Sequence, residues 1–178
     1  GMVRMWEFRS GKELKTINES AAAVRLRVAF SPDGERLATA SSAEAPRPVR
    51  VWQIAAEKEI CRFPGHRESI ISVAFSPDGR DVASADLGSR IRVWNSKTAE
   101  EVQALKVNDS SIFAVTFSPD GRSLASASAD GPVHVWDWTT GHGRRGCRLS
   151  TPSAPGCPAR CGHGAACSRF RPCVTSAG

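Results

Sequence analysis

The residues with the plainest chemical capacity lie towards the C-terminus, in the series Cys157-x3-Cys161-x-His163-x3-Cys167-x5-Cys173. Clustered thiolates and an imidazole are the donors of a tetrahedral Zn site, but the paired Cys-x2-Cys knuckles that usually build one are missing. Disulfides in an oxidising setting are the other chemistry these cysteines permit. Just before them, Gly141-His142-Gly143-Arg144-Arg145-Gly146 fits the phosphate-cradling string G-x-G-x-x-G. Pro and Gly between Leu149 and Gly156 stand where the helix of a dinucleotide fold must follow, so that reading fails its context. A third candidate is His66, which follows Gly65 with no cysteine, serine–base pair or carboxylate pair set beside it by spacing. A structural hydrogen bond, not catalysis, is the expectation for it. No enzyme constellation emerges, and no cofactor is expected.

The elements that would hold such groups divide the chain near Thr140. The 178 residues carry 24 Lys+Arg against 18 Asp+Glu, a net charge of +6. Up to residue 140 the signs balance at 18 each, whereas residues 141–178 hold six Arg and no acid. This tail has seven Gly, four Pro and five of the six Cys, and its large apolar side chains are Leu149, Phe170 and Val174. That cannot bury a core, so a disordered, metal-free tail is expected, with the Zn set and disulfides as its alternatives. Its composition also fits read-through or out-of-frame translation. Its arginines would hold nucleic acid only nonspecifically, because the interleaved aromatics of a stacking platform are absent. No apolar run approaches roughly 18 residues, so no membrane span is expected.

Residues 1–140 are repetitive. Phe-Ser-Pro-Asp-Gly begins at Phe30, Phe75 and Phe117, and an apolar-x-apolar-Trp string ends at Trp6, Trp52, Trp94 and Trp136. The Trp separations are 46, 42 and 42, and the excess falls in the loop from Ser41 to Pro48. Ser-Pro-Asp-Gly suits a type I turn, with Pro presetting φ and Gly supplying freedom at the end. It joins an apolar strand to a small-residue strand (LATAS from Leu37, VASAD from Val82, LASAS from Leu124), and the Trp strand and a weaker fourth strand follow. The expectation is four short strands per unit in a sheet covered on both faces.

Period, strand count and the Trp landmark resemble the WD-repeat β-propeller family, over residues 1 to about 140. The resemblance implies an all-β, incomplete propeller of four-stranded antiparallel blades. Blades run from Val24 to about Phe63, Ile70 to about Leu105 and Ile112 to about Trp138, preceded by the two outer strands of another. Gly1 aligns with Gly131, so the chain is expected to start inside a blade. Three blades and a fraction cannot close a ring of about 4 to 8, which predicts uncovered apolar faces completed by further blades of a longer parent chain or by another subunit.

In this family a His, a Ser or Thr, an Asp and the Trp can form a buried hydrogen-bonded set within a blade. Carried over by position, the Trp94 unit offers His66 and Ser84, with Gly88 at the turn position and Asp86 two residues early. The Trp136 unit offers Ser126 and Asp130, with Asn108 at the His position; the Trp52 unit offers Thr39, with Ala21 there. Each blade should be only partly cross-tied, and apolar contact between blades should carry most of the stability. Arg25 and Arg27 fall on the strand nearest the central channel.

The resemblance also implies a noncatalytic scaffold that binds partner proteins or peptides through one loop face, in the cytoplasm, with no specific nucleic acid and no membrane among its partners. The candidate contact residues are Glu44, Arg47, Arg67, Glu68, Leu87, Asp109 and Ser110. The alternative is a sensor or regulatory segment of a larger signalling enzyme, a kinase or NTPase.

Overall fold

Three Ser-Pro-Asp-Gly turns set the geometry. In each, the serine hydroxyl accepts the amide hydrogen of the residue five positions on (Arg36, Asp81, Ser123), all at 2.9 Å. The aspartate accepts that of the residue two positions on (Glu35, Arg80, Arg122) at 2.9 to 3.0 Å. The glycine N–H returns to the serine carbonyl at 2.9 Å, with Gly34, Gly79 and Gly121 at φ of 70 to 71°, where a side chain would be strained. The chain therefore reverses at fixed points, and the strands on either side meet in a fixed register.

The computed structural model describes residues 1–19, 26–41, 47–107, 110–131 and 133–145. All regular structure among them is β-strand. β1 (Met2–Trp6) and β2 (Glu13–Asn18) pair as a two-stranded sheet. Blade 1 comprises β3 (Leu26–Phe30), β4 (Arg36–Ser41), β5 (Arg47–Gln53) and β6 (Lys58–His66). Blade 2 comprises β7 (Ile70–Phe75), β8 (Asp81–Asp86), β9 (Arg90–Asn95) and β10 (Glu101–Lys106). Blade 3 comprises β11 (Ile112–Phe117), β12 (Leu124–Ser128), β13 (Val133–Asp137) and β14 (His142–Arg145). Every pairing is antiparallel between chain neighbours, and the register recurs: Leu37, Val82 and Leu124 lie opposite Trp52, Trp94 and Trp136.

This is the all-β, four-stranded-blade architecture expected from the repeat. The end of the third blade differs from the sequence reading. The fourth-strand pattern stops at Thr140, yet His142–Arg145 pairs along β13. The string has no apolar alternation, and what admits it is Gly143, opposite Trp136: a Cβ there would fall 2.4 Å from the indole ring. The tail from 146 on lies outside the described residues.

The core sits in the seams between sheets. Ala38, Ala40, Val49, Val51, Cys61 and Phe63 of blade 1 meet Ile70, Val73, Phe75, Val82 and Trp94 of blade 2. Ala83, Ala85, Ile91, Val93, Leu105 and Val107, on β8 to β10 and the residue after it, meet Ile112, Val115, Phe117 and Leu124 of blade 3. Met5 and Ile17 cap Leu37, Trp52 and Ile54 in the same manner. Burying one such side chain is worth about 1.5 to 3 kcal/mol, so the seams outweigh the polar ties described next. Blade 3 presents the equivalents of Ala83, Ala85, Ile91 and Val93 without a neighbour among the described residues: Ala125, Ala127 and Val133 are half-buried and Val135 is exposed.

Candidate functional site

Beneath the loops each blade carries a different polar set. In blade 2, His66 closes β6 and Asp86 closes β8, both essentially without solvent contact. His66 Nδ1 lies 2.8 Å from Asp86 Oδ2, and Nε2 lies 2.6 Å from Ser84 Oγ. In a neutral imidazole the carboxylate fixes the proton on Nδ1, leaving Nε2 to accept from the serine hydroxyl. Burial pushes the Asp86 carboxyl up, but hydrogen bonds from His66 and the Arg90 amide, attraction to His66 and the Gly88 amide outweigh it. Together they hold the carboxyl below the ordinary range. Trp94 is fully buried and stacks on Phe63 at 5.2 Å, and its Nε1 has no hydrogen-bond acceptor. The set closes through Asp86, two residues ahead of the aligned turn position, and leaves the indole out.

The polar set around Thr39 in blade 1 includes no His, and an acid from the preceding link takes its place. Glu19, after β2, is buried and accepts from the Thr39 hydroxyl and, at 2.9 Å, from the Arg50 guanidinium. Thr39 in turn accepts from Trp52 Nε1 at 2.9 Å. The sequence comparison missed Glu19 because it set Ala21 in that position; the usable signal was an acid near the end of a link into an otherwise incomplete set. In blade 3, Trp136 Nε1 donates to Ser126 at 3.0 Å, while Asp130 accepts from the Ser128 hydroxyl in the β12–β13 turn. His134 lies over Trp136, with Nε2 3.6 Å from Asp130, beyond hydrogen-bonding range.

The loops above these sets are tied edge to edge. Leu87 N–H donates to Ser69 O at 3.0 Å, Ser89 Oγ to Ser110 O at 2.7 Å, and Ser111 Oγ to Leu87 O at 3.4 Å. The Glu68 stem lies over Gly88, where a Cβ would sit 2.9 Å from its Cγ. Of the candidate contact residues, Arg67, Glu68, Leu87 and Ser110 are thus gathered on one face, with Arg67, Glu68 and Leu87 exposed. Arg47 opens β5, its backbone opposite His66. Glu44 and Asp109 lie outside the described residues, as do Arg25 and the Cys157, Cys161, His163, Cys167 and Cys173 set. Arg27 lies half-buried on β3.

On the opposite face Arg36 crosses a seam, donating to Gly79 O at 2.9 Å and Ser96 Oγ at 2.8 Å, with its guanidinium 5.5 Å from the Phe75 ring centre. It floors an open groove of about 340 Å³ lined also by Asp33, Glu35, Gln53, Ile60 and Lys97. Among the described residues no three His, Cys, Asp or Glu side chains group as metal donors. No helix is long and apolar enough to cross a membrane.

Residues 57–95 and 99–137 match the family model described as WD domain, G-beta repeat. Residues 57–137 thus hold two WD40 repeats. Each matched WD40 unit starts with the outer strand of one blade and ends with the Trp strand of the next (β6 to β9, then β10 to β13), so one unit spans a seam. Over 66 residues the chain is 39% identical to the U5 small nuclear ribonucleoprotein 40 kDa proteins of Homo sapiens and Mus musculus, covering 37% of this chain and 18% of each relative. It is 42% identical over 45 residues to the WD40 repeat-containing protein HOS15 of Arabidopsis thaliana, covering 25% of this chain and 7% of that relative. The chain therefore spans less than a fifth of the length of these curated relatives. WD40 repeats of this kind support a protein-interaction scaffold in general terms.

Proposed function

We propose that the chain is a noncatalytic scaffold segment that binds partner proteins or peptides through the loop face carrying Arg67, Glu68, Leu87 and Ser110, with Arg47, Glu44 and Asp109 extending it. The observation that carries this reading is the hydrogen bonding of the β8–β9 loop to the segment entering blade 3. With Ser89–Ser110 and Ser111–Leu87 joining neighbouring blades and Leu87–Ser69 closing the loop within blade 2, these loops lose little freedom on binding, so exposed side chains between them act as one preorganised patch. The titratable groups below the patch are committed to structural hydrogen bonds, which supports a noncatalytic role. The uncovered faces at either end are completed, in this reading, by further blades of a longer parent chain or another subunit.

The test is selection of a displayed peptide library on the wild-type chain, followed by rebinding to a variant carrying Arg47→Ala, Arg67→Ala and Glu68→Ala. The expected result is an unchanged circular dichroism spectrum and melting temperature with loss of the selected peptides. Peptides that rebind undiminished, and that are lost instead on altering the Arg36 face, would place binding elsewhere. A cytoplasmic setting is part of the same proposal. Cell fractionation that finds the chain in the nucleus, as the names of the ribonucleoprotein relatives would suggest, overturns it.

A further inference from the structure

On the face of the Ser-Pro-Asp-Gly turns, the two seams between complete blades are filled differently. β4 opens with Arg36 and β8 with Asp81, at the same place in the repeat. In the first seam the Arg36 guanidinium spans the gap: it donates to Gly79 O at 2.9 Å and Ser96 Oγ at 2.8 Å, and lies 5.5 Å from the Phe75 ring centre. Its own turn aspartate, Asp33, is 3.6 Å away. In the second seam the equivalents of Gly79, Ser96 and Phe75 are Gly121, Trp138 and Phe117. Trp138 Nε1 donates to Gly121 O at 3.0 Å, and the indole meets Phe117 edge-on at 5.7 Å, so it takes over two contacts that the guanidinium makes in the first seam. The residue facing it from blade 2, however, is the short carboxylate of Asp81, and a cavity of about 170 Å³ remains between them.

The charge of that cavity is uncompensated where the first seam is compensated. Asp78, Asp81 and Asp120 line it beside Trp138, and no basic side chain does. Arg80 lies 3.8 Å from Asp78 but stands largely in water. Burial and repulsion from Asp78 push the Asp81 carboxyl up, with attraction to Arg80 opposing them. A cation placed in the cavity relieves that repulsion, as Arg36 does from within the chain one seam earlier.

We propose that the cavity between Asp81 and Trp138 binds the guanidinium of an arginine side chain on a partner polypeptide, which takes in this seam the part that Arg36 plays in the other. The planar ion presents its forked N–H groups to Asp81 and the turn aspartates and its face to the indole. A lysine ammonium matches the charge but neither the plane nor the fork. The cavity lies between two complete blades and on the face opposite the loops of Arg67 and Glu68. The inference therefore goes beyond the loop-face reading and stands apart from it.

The probe is the blocked tripeptide Gly-Arg-Gly, titrated into the intact chain while the indole N–H signals of its five tryptophans are followed by NMR. Trp138→Phe identifies the signal of Trp138. Expected is a saturable displacement of that signal with the Trp94 signal fixed, at least fivefold weaker for Gly-Lys-Gly and absent for the neutral isostere with citrulline in place of arginine. Affinity should fall at least tenfold in Asp81→Asn, and vanish in Asp81→Arg, which supplies the cation from within. Asp120→Asn keeps the oxygen that accepts the Arg122 amide, so it should retain the wild-type circular dichroism and still weaken binding at least threefold; it decides the matter if the Asp81 variants unfold. An unmoved signal, equal affinity for the lysine or citrulline peptide, or unchanged affinity in the folded aspartate variants overturns the proposal. So does calcium chloride that saturates the same signal more tightly than the arginine peptide, which would make a metal ion the occupant. Loop-face capture measured in Asp120→Asn should persist, and this separates failure of the cavity from failure of the scaffold reading.

Discussion

Blades 1 and 2 solve one packing problem with different chemistry. Blade 2 joins Asp86, His66 and Ser84 in a fully enclosed chain and leaves the Trp94 indole N–H unpaired. Blade 1 runs from Trp52 through Thr39 to Glu19 and Arg50, including the indole but resting on an ion pair whose arginine is partly open to water. In these two blades a polar bridge reaches the hydroxyl on the second strand from residues that precede the blade, and either an imidazole or a carboxylate can provide it. The enclosed bridge should be the costlier to break, since each group it strands is buried with no route to solvent.

The largest effect should follow His66→Ala, which leaves the Ser84 hydroxyl and one Asp86 oxygen without their partner. The expected loss is about 1 to 3 kcal/mol in urea unfolding, with loop-face binding retained in the remaining folded protein. Unchanged stability with lost binding would move His66 from the framework to the interface. Glu19→Gln, which keeps an acceptor for Thr39 but removes the charge facing Arg50, should cost about 1 to 2 kcal/mol by the same measurement. If it costs more than His66→Ala, the ranking of enclosed over ionic bridges is wrong.

The smallest effect is the share of acid sensitivity that Asp86 supplies. Its carboxyl titrates below the ordinary value of 3.8 in the folded chain, so it contributes stability above that value and loses it as pH falls through the lower, folded one. Asp86→Asn should flatten the acid limb of a stability-against-pH curve only in part. Asp33, Asp78, Asp120 and Asp137 are also held low, each chiefly by a hydrogen bond from a nearby serine or threonine. An acid limb with the same slope in the variant would show that Asp86 does not titrate there.

The recurring parts were readable because each does its work within a few residues. Ser76, Pro77, Asp78 and Gly79 make a turn by themselves, and a Trp strand of period 2 declares its two faces. What was not readable depends on reach between units. Glu19 acts on Thr39 and Arg50, 20 and 31 residues away, and Arg36 acts on Gly79 and Ser96, 43 and 60 away. Neither has an equivalent at its aligned position elsewhere, so repetition could not reveal them. β14 was missed for a third reason: its place is won by the absent side chain of Gly143 under Trp136, and a missing atom leaves no hydropathy pattern. The loop face was legible as positions, but the hydrogen bonds that make it one surface depend on the seams closing first.

The unpaired indole of Trp94 gives the molecule a built-in optical reporter. An indole with neither water nor a hydrogen-bond acceptor emits at the blue end of tryptophan fluorescence, and Trp94 is both fully enclosed and stacked on Phe63 across the blade 1–blade 2 seam. Trp6, more than half exposed, emits at the red end and is open to collisional quenchers. Separation of that seam can therefore be followed at the blue edge of the spectrum, apart from the signal of the exposed Trp6, in one unlabelled sample.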